Sequence, residues 1–323
     1  LAVGSPTVRV VAILAATLLL ALTLAAAGAG VQRLLAANGP IIVAQDGSGT
    51  VETIAKAVAM AEDGDEVLVR PGTYVEAVVI DKDITVSGDG PREEIVITAP
   101  EDGPEADISP DWFGTEPYAI QLLETPATVS NMTLRGERSM VHATGGSPTV
   151  TGLHLDAVGT PFRGGGNPGG NSIMVNAGST ATISGNTLTD GGPIGVFDLS
   201  APLIEANTLT GGPHIWGGYG DGAVIRGNTI DGSFVRAIFV RNPAAMTIDG
   251  NTISNPGPNG LEVRGGPITV VDNSISGASV AAVSVSGRGE ATVRGNQLQD
   301  NGVGISWSAD EGVIEQNAVC LLY

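Results

Sequence analysis

Phe197, Trp216 and Phe239, together with Arg241, Glu262 and Arg264, are the residues whose types and spacing could do chemistry in concert. Aromatic ring faces stack on the apolar faces of sugar rings, while guanidinium and carboxylate groups fix hydroxyls or a uronate carboxyl. Only 4% of this chain is aromatic, so three large rings expected on one outer surface mark it as a recognition face. Placed on successive strands about 4.8 Å apart, they would form a strip about 10 Å long. His214, Arg241 and Glu262 are the candidates for catalysis, with His214 or Arg241 as the base of a lyase or epimerase. A glycosidase needs two carboxylates roughly 5 to 9.5 Å apart. Asp198 and Glu262 lie three repeats apart, about 14 Å by strand spacing, so they do not make that pair.

The register behind this reading comes from seven asparagines: Asn186, Asn207, Asn228, Asn251, Asn273, Asn296 and Asn317, separated by 21, 21, 23, 22, 23 and 21 residues. Each sits in a phrase such as Ile225-Arg226-Gly227-Asn228-Thr229-Ile230. A fixed period in this range marks a solenoid whose repeats stack as single turns. Within a period the apolar pieces are strand-sized and bounded by Gly, Asn, Asp or Pro, as in Thr187-Leu188-Thr189 and Ile194-Gly195-Val196-Phe197. Three strands per roughly 22 residues predict an all-β, parallel β-helix, right-handed by the crossover preference. Turn asparagines stacked along it are structural.

Counting from the asparagines points Ile194/Val196, Ile215/Gly217, Ile238/Val240, Leu261/Val263, Val283/Val285 and Ile305/Trp307 inward, because strand side chains alternate. The outward column then reads His142, Met174, Phe197, Trp216, Phe239, Glu262, Ser284 and Ser306, with Arg241, Arg264, Ser286 and Ser308 beside it. Backwards, Asn131 and Gly152 continue the ladder position. Two insertions project from the coil, an acidic loop over 99–116 and a glycine-rich loop over 159–170.

Composition sets limits. The 47 glycines and 19 prolines fit a turn-dense solenoid. A single cysteine, Cys320, excludes an internal disulfide framework and a cysteine metal cluster. A net charge of −19 argues against nucleic acid as a partner. No cofactor or metal is expected; Glu101, Asp102, Glu105, Asp107, Asp111 and Glu116 could hold Ca2+ weakly, but match no defined site spacing. Residues 10–29 carry no charge and as a helix would cross a bilayer core, as an anchor after the flank 1–9 or as a signal peptide cleaved near Ala25-Ala26-Ala27. Either places the chain beyond the linker 30–40 outside the cytoplasm. The start at Leu1 and the stop soon after Asn317 suggest a truncated chain.

Residues 41–90 carry a recognisable series: Asp46-Gly47-Ser48-Gly49, Thr53-Ile54-Ala55-Lys56-Ala57-Val58, Gly64-Asp65, Pro71-Gly72-Thr73-Tyr74 and Ile84-Thr85-Val86. This series resembles the N-terminal segment of pectinesterases and other pectin-lyase-like β-helix proteins. The repeats over 91–323 resemble those of carbohydrate-binding and sugar-hydrolase β-helices. The resemblance implies an N-terminal helix over 53–62 that plugs the open end of the coil. It does not carry the family chemistry across: Phe197-Asp198 lacks the second aspartate of pectinesterases, and the Asn-Thr-Asp and Gly-His-Gly of polygalacturonases do not occur. Arg241-Asn242-Pro243 begins the Arg-x-Pro-x-x-Arg of pectate lyases, but Met246 stands at the second arginine.

The expectation is therefore a monomeric extracytoplasmic protein that binds a polysaccharide on one exposed sheet. The alternatives are a lyase, epimerase or hydrolase with an atypical site, and a stalk for a larger membrane protein.

Overall fold

The computed structural model describes residues 39–107, 115–136, 140–157, 172–190, 192–212, 214–218, 222–233 and 235–321. Residues 41–321 form a right-handed parallel β-helix of about 11 turns, about 22 residues per coil. Most strands are three or four residues long, and in many the central residue alone points inward. In Thr182–Ser184, Thr187–Thr189 and Leu203–Glu205, for example, Ile183, Leu188 and Ile204 are fully buried. Burying each such side chain stabilises the coil by about 1.5–3 kcal/mol. Repetition of that small gain, rather than any one large contact, makes the core.

Eleven strands, from Gly72–Val75 to Ala318–Leu321, form one sheet. The two other strand runs merge into a single sheet because Ala281–Arg294 and Val303–Glu315 pass unbroken round the corner that earlier coils turn with loops. The run that bears the expected site comprises β1 (Ile120–Leu123), β2 (Val141–Thr144), β3 (Ile173–Asn176), β4 (Ile194–Val196), β5 (Ile215–Gly218), β6 (Arg236–Arg241), β7 (Asn259–Arg264), β8 (Ala281–Arg294) and β9 (Val303–Glu315).

The asparagines turn another corner. Asn207 donates from its side-chain amide to Asn228 Oδ1 (3.0 Å) and to the Ile183 carbonyl (2.9 Å), while its backbone N–H donates to the same Oδ1 (3.0 Å). The pattern repeats from Asn186 to Asn296, so buried amides satisfy one another between coils. The residue before each asparagine takes a left-handed backbone, which explains Gly185, Gly227, Gly250 and Gly295 there. This geometry corrects the backward extension. Asn131 and Gly152 occupy the left-handed position, and the ladder position itself holds Met132 and Leu153, both fully buried. The ladder thus starts at Asn186, two coils after Asn131, with Leu153 N–H donating to Asn186 Oδ1 at 2.9 Å.

The expected plug is α1 (Ile54–Met60), which buries Ile54, Ala57 and Val58. Thr53 caps its first turn, and the Glu76 carboxylate accepts from the N–H groups of Ile54 and Ala55 at 3.1 and 2.9 Å. Lys82 Nζ closes the other end by donating to the carbonyls of Val58 and Ala61 at 2.9 and 2.7 Å. The helix therefore covers the coil end with its own backbone groups satisfied at both termini.

Part of the 99–116 insertion is an antiparallel pair, Glu105–Asp107 with Thr115–Pro117. Among the described residues no three His, Cys, Asp or Glu side chains come together as a metal group, and Asp111 lies outside the described residues. The hydrophobic segment 10–29 and the 159–170 loop lie outside the described residues. No helix of the described residues is long and apolar enough to cross a membrane.

Candidate functional site

The inward residues predicted for β4 to β9 pair in register: Ile194↔Ile215↔Ile238↔Leu261↔Val283↔Ile305. The outward column between them runs Gln121, His142, Met174, Gly195, Trp216, Phe239, Glu262, Ser284 and Ser306. Phe197 is not in it. Gly195 holds that place, and Phe197 follows β4 one residue on, beside Gly218, where a Cβ would lie 3.9 Å from its ring. The expectation of three exposed rings in line is corrected accordingly. Phe197 is only 6% exposed and packs with Met174 and Trp216 in a cluster separate from the main core.

The rings still form a continuous unit. Phe197 meets Trp216 edge-on at 5.3 Å, and Trp216 stacks on Phe239 at 6.4 Å with 28° between planes. The missing side chain at Gly195 lets Phe197 reach across to Trp216. Phe239 carries two guanidiniums, Arg236 at 4.2 Å and Arg264 at 5.3 Å from its centroid. Such contacts add about 0.5–1 kcal/mol each where partly exposed. Trp216 and Phe239 are half-buried, and Arg241 and Arg264 are exposed.

Glu262 ties the unit together. Its Oε1 accepts from Arg264 Nε at 2.7 Å, and its Oε2 accepts from Arg236 at 2.9 Å and from Asn259 at 3.3 Å. Only 8% of Glu262 is exposed, so this carboxylate is a clamp with both oxygens occupied rather than a free acid or base. Arg236, not Arg241, pairs with it, because Arg236 starts β6 and reaches forward over Phe239. Arg241, in register with Arg264, makes no ion pair among the described residues.

His214, just before β5, is 6% exposed. Burial, reinforced by the nearby Arg236 charge, pushes its imidazole down to about 4, so at neutral pH it is uncharged. A buried ring is poorly placed to take a proton from an extended chain lying on the face. The structure therefore brings Trp216, Phe239, Arg264 and Glu262 together, sets Phe197 beneath them, leaves Arg241 open at the edge, and withdraws His214.

Two features escaped the sequence reading. Arg236 carried no signal of its role in the sequence, since its partner lies 26 residues away. His142, read as outward, is fully buried. One cleft, about 290 Å³ and bordered by Met246, Thr269, Glu290 and Thr292, opens elsewhere, on the strand run past the corner.

Comparison with known proteins agrees with the β-helix fold. A family described as "Right handed beta helix region" matches residues 124–298 and 236–319. No curated protein matches the sequence. Among solved structures, an alginate lyase from Paenibacillus sp. str. FPU-7 superposes with a TM-score of 0.59 at 14% identity, covering 83% of this chain and 96% of that one. The GH136 lacto-N-biosidase from Eubacterium ramulus gives 0.59 at 13% identity, covering 90% of this chain and 69% of its own. Endopolygalacturonase I from Stereum purpureum, solved with two galacturonates, gives 0.54 at 15% identity, covering 83% and 99%. At such identities the likeness is one of fold.

Proposed function

This chain belongs to the right-handed β-helix family, and from that premise we propose that it binds a polysaccharide on the outward face of β4 to β7. The observation that carries the proposal is the Trp216–Phe239 stack held flat by the Arg236–Glu262–Arg264 clamp. A ring platform whose orientation is fixed before binding loses little freedom on contact, which favours affinity. Arg264 and Arg241 line one edge with donors for hydroxyls or a carboxyl group. Three solved structures of similar fold are named as an alginate lyase, a lacto-N-biosidase and an endopolygalacturonase holding two galacturonates, which supports a glycan as ligand class.

Binding rather than hydrolysis is the reading we adopt. Glu262 is the carboxylate in the outward column from β4 to β7, with both oxygens occupied, and Asp198 lies in the turn after β4, three strand steps or about 14 Å away, whereas hydrolytic pairs work at roughly 5–9.5 Å. A lyase remains the second reading, on the single ground that Arg241 is an open guanidinium beside the platform. The protein is proposed to act outside the cytoplasm, with residues 10–29 as its leader or anchor, which fractionation of expressing cells would check.

A glycan array with the purified β-helix tests the function. Retention of at least one oligosaccharide class, lost in Trp216→Ala, is expected. Retention unchanged in that variant would refute the site. Release of unsaturated uronides, abolished in Arg241→Ala, would replace binding by lyase activity.

A further inference from the structure

Round the corner from the platform, the coil opens to solvent in the cleft of about 290 Å³. It lies across three paired strands, Met246–Asp249, Ile268–Val271 and the second half of β8. Thr269 and Thr292 are partners in register, so they stand one strand spacing apart, about 4.8 Å. Immediately before the paired Met246, Ile268 and Ala291 come Ala245, Pro267 and Glu290, which form a second outward file beside the threonines. Ala245, Pro267 and Glu290 are exposed and the two threonines half-buried, so a ligand can reach them all. Among the described residues the side chains of Thr269, Thr292 and Glu290 have no hydrogen-bond or ion-pair partner in the protein.

The ridge between cleft and platform is bare. In the β7 coil only Gly265 and Gly266 separate Arg264, at the edge of the platform, from Pro267, at the edge of the cleft. Both glycines take a left-handed backbone, and a Cβ on Gly266 would collide with the Pro243 carbonyl oxygen. Three residues of chain span at most about 10 Å, so the two edges lie within that distance. An oligosaccharide leaving the platform along the strand direction meets no side chain on this ridge before it meets the cleft.

The lining defines the ligand. A carboxylate only accepts hydrogen bonds, and a threonine hydroxyl both donates and accepts. Ala245 and Pro267 add an apolar wall. A sugar ring matches this set, with neighbouring hydroxyls to donate to Glu290 and an apolar face to lay on Pro267. An anionic sugar would meet the Glu290 carboxylate, on a chain whose net charge is already −19. A purely apolar ligand would strip water from Glu290 and return nothing.

We propose that the cleft is a second subsite for the same glycan and takes an uncharged sugar residue, with Thr269, Thr292 and Glu290 holding its hydroxyls. This rests on the glycan-binding reading above and gives it a direction. The chain runs along β6 and β7 and over Gly265-Gly266, not up the coil axis.

The test is calorimetric titration of cellotriose, xylotriose, mannotriose and the matching hexasaccharides, with hexagalacturonate as the acidic probe. The proteins are wild type, Trp216→Ala and the double variant Thr269→Val/Glu290→Ala. Both exchanged side chains face solvent, so the Tm of the double variant is expected within about 2 °C of wild type. Wild type is expected to bind a neutral hexasaccharide at least tenfold more tightly than its trisaccharide, because only the longer chain occupies both subsites. The double variant should keep the trisaccharide affinity and lose that gain, whereas Trp216→Ala should weaken both lengths. Hexasaccharide affinity unchanged in the double variant, with binding lost in Trp216→Ala, would overturn the cleft and leave the platform standing. A lowered Tm with the length dependence intact would make the two residues structural. Hexagalacturonate bound more tightly than the neutral hexasaccharides would overturn the uncharged assignment, and no binding by wild type would remove both readings.

Discussion

Two columns climb this solenoid side by side, and they are built on opposite plans. The corner column repeats one residue from Asn186 to Asn317, each amide bonded to the next. The face column changes at every coil, from His142 through Met174, Gly195, Trp216 and Phe239 to Glu262. Sameness in the first lets each coil satisfy its neighbour, which is what a one-dimensional stack needs for stability. Variation in the second gives a surface with one address, which is what recognition needs. The same backbone period supports both because side chains at different points of a coil answer to different demands.

The sharpest way to separate the columns is acid. The corner column holds no titratable group, whereas the face and its border hold His142 and His214, both pushed down to about 4 by burial. The unfolded imidazole, near 6.5, takes its proton first as pH falls. Stability contributed by the neutral buried rings is thus whole above about pH 6.5 and is lost progressively down to about pH 4, by up to about 3 kcal/mol per histidine. Urea unfolding across that range should show a decline that His142→Phe reduces by roughly half; an equal decline in that variant would remove His142 as a cause.

Next in size is the corner itself. Asn228→Ala strips partners from the Asn207 backbone and side-chain amides and from the Ile204 carbonyl. Leaving these buried groups unmatched should cost about 3 kcal/mol in chemical denaturation, with any glycan affinity intact at temperatures where the coil is folded. Loss of affinity without loss of stability would merge the two columns and defeat the comparison.

On the face, Trp216→Ala is expected to weaken glycan binding by about 2 kcal/mol, some thirtyfold, as central aromatic anchors do. Glu262→Ala should cost about 1–2 kcal/mol of stability, since it frees two guanidiniums that are themselves partly exposed and screened by water. It should also loosen Phe239, lowering affinity less than Trp216→Ala does. If Glu262→Ala abolishes binding while Trp216→Ala does not, the charged clamp rather than the ring is the contact.

The corner column was legible in sequence because its residue never changes. Period and inward residues followed from it, while the capping helix followed from the series over residues 41–90. The errors arose where a side chain departed from the period. Gly195 contributes no side chain to the column, so Phe197, two residues on, stood in for it in the reading, although its ring packs across rather than along. Asn131 mimicked a ladder residue because asparagine and glycine share the left-handed position one step earlier. The Arg236–Glu262 pairing and the burial of His142 depend on rotamers and packing between coils, which no spacing rule contains.

The central claim, that recognition belongs to the platform face and not to the eleven-stranded sheet, is tested most directly by calorimetric titration of the best array ligand into two variants. Trp216→Ala alters the face, and Thr208→Ala alters an exposed side chain on the eleven-stranded sheet. The account predicts at least tenfold weaker binding in Trp216→Ala and wild-type binding in Thr208→Ala. Wild-type affinity in Trp216→Ala, or an equal loss in both, would contradict it.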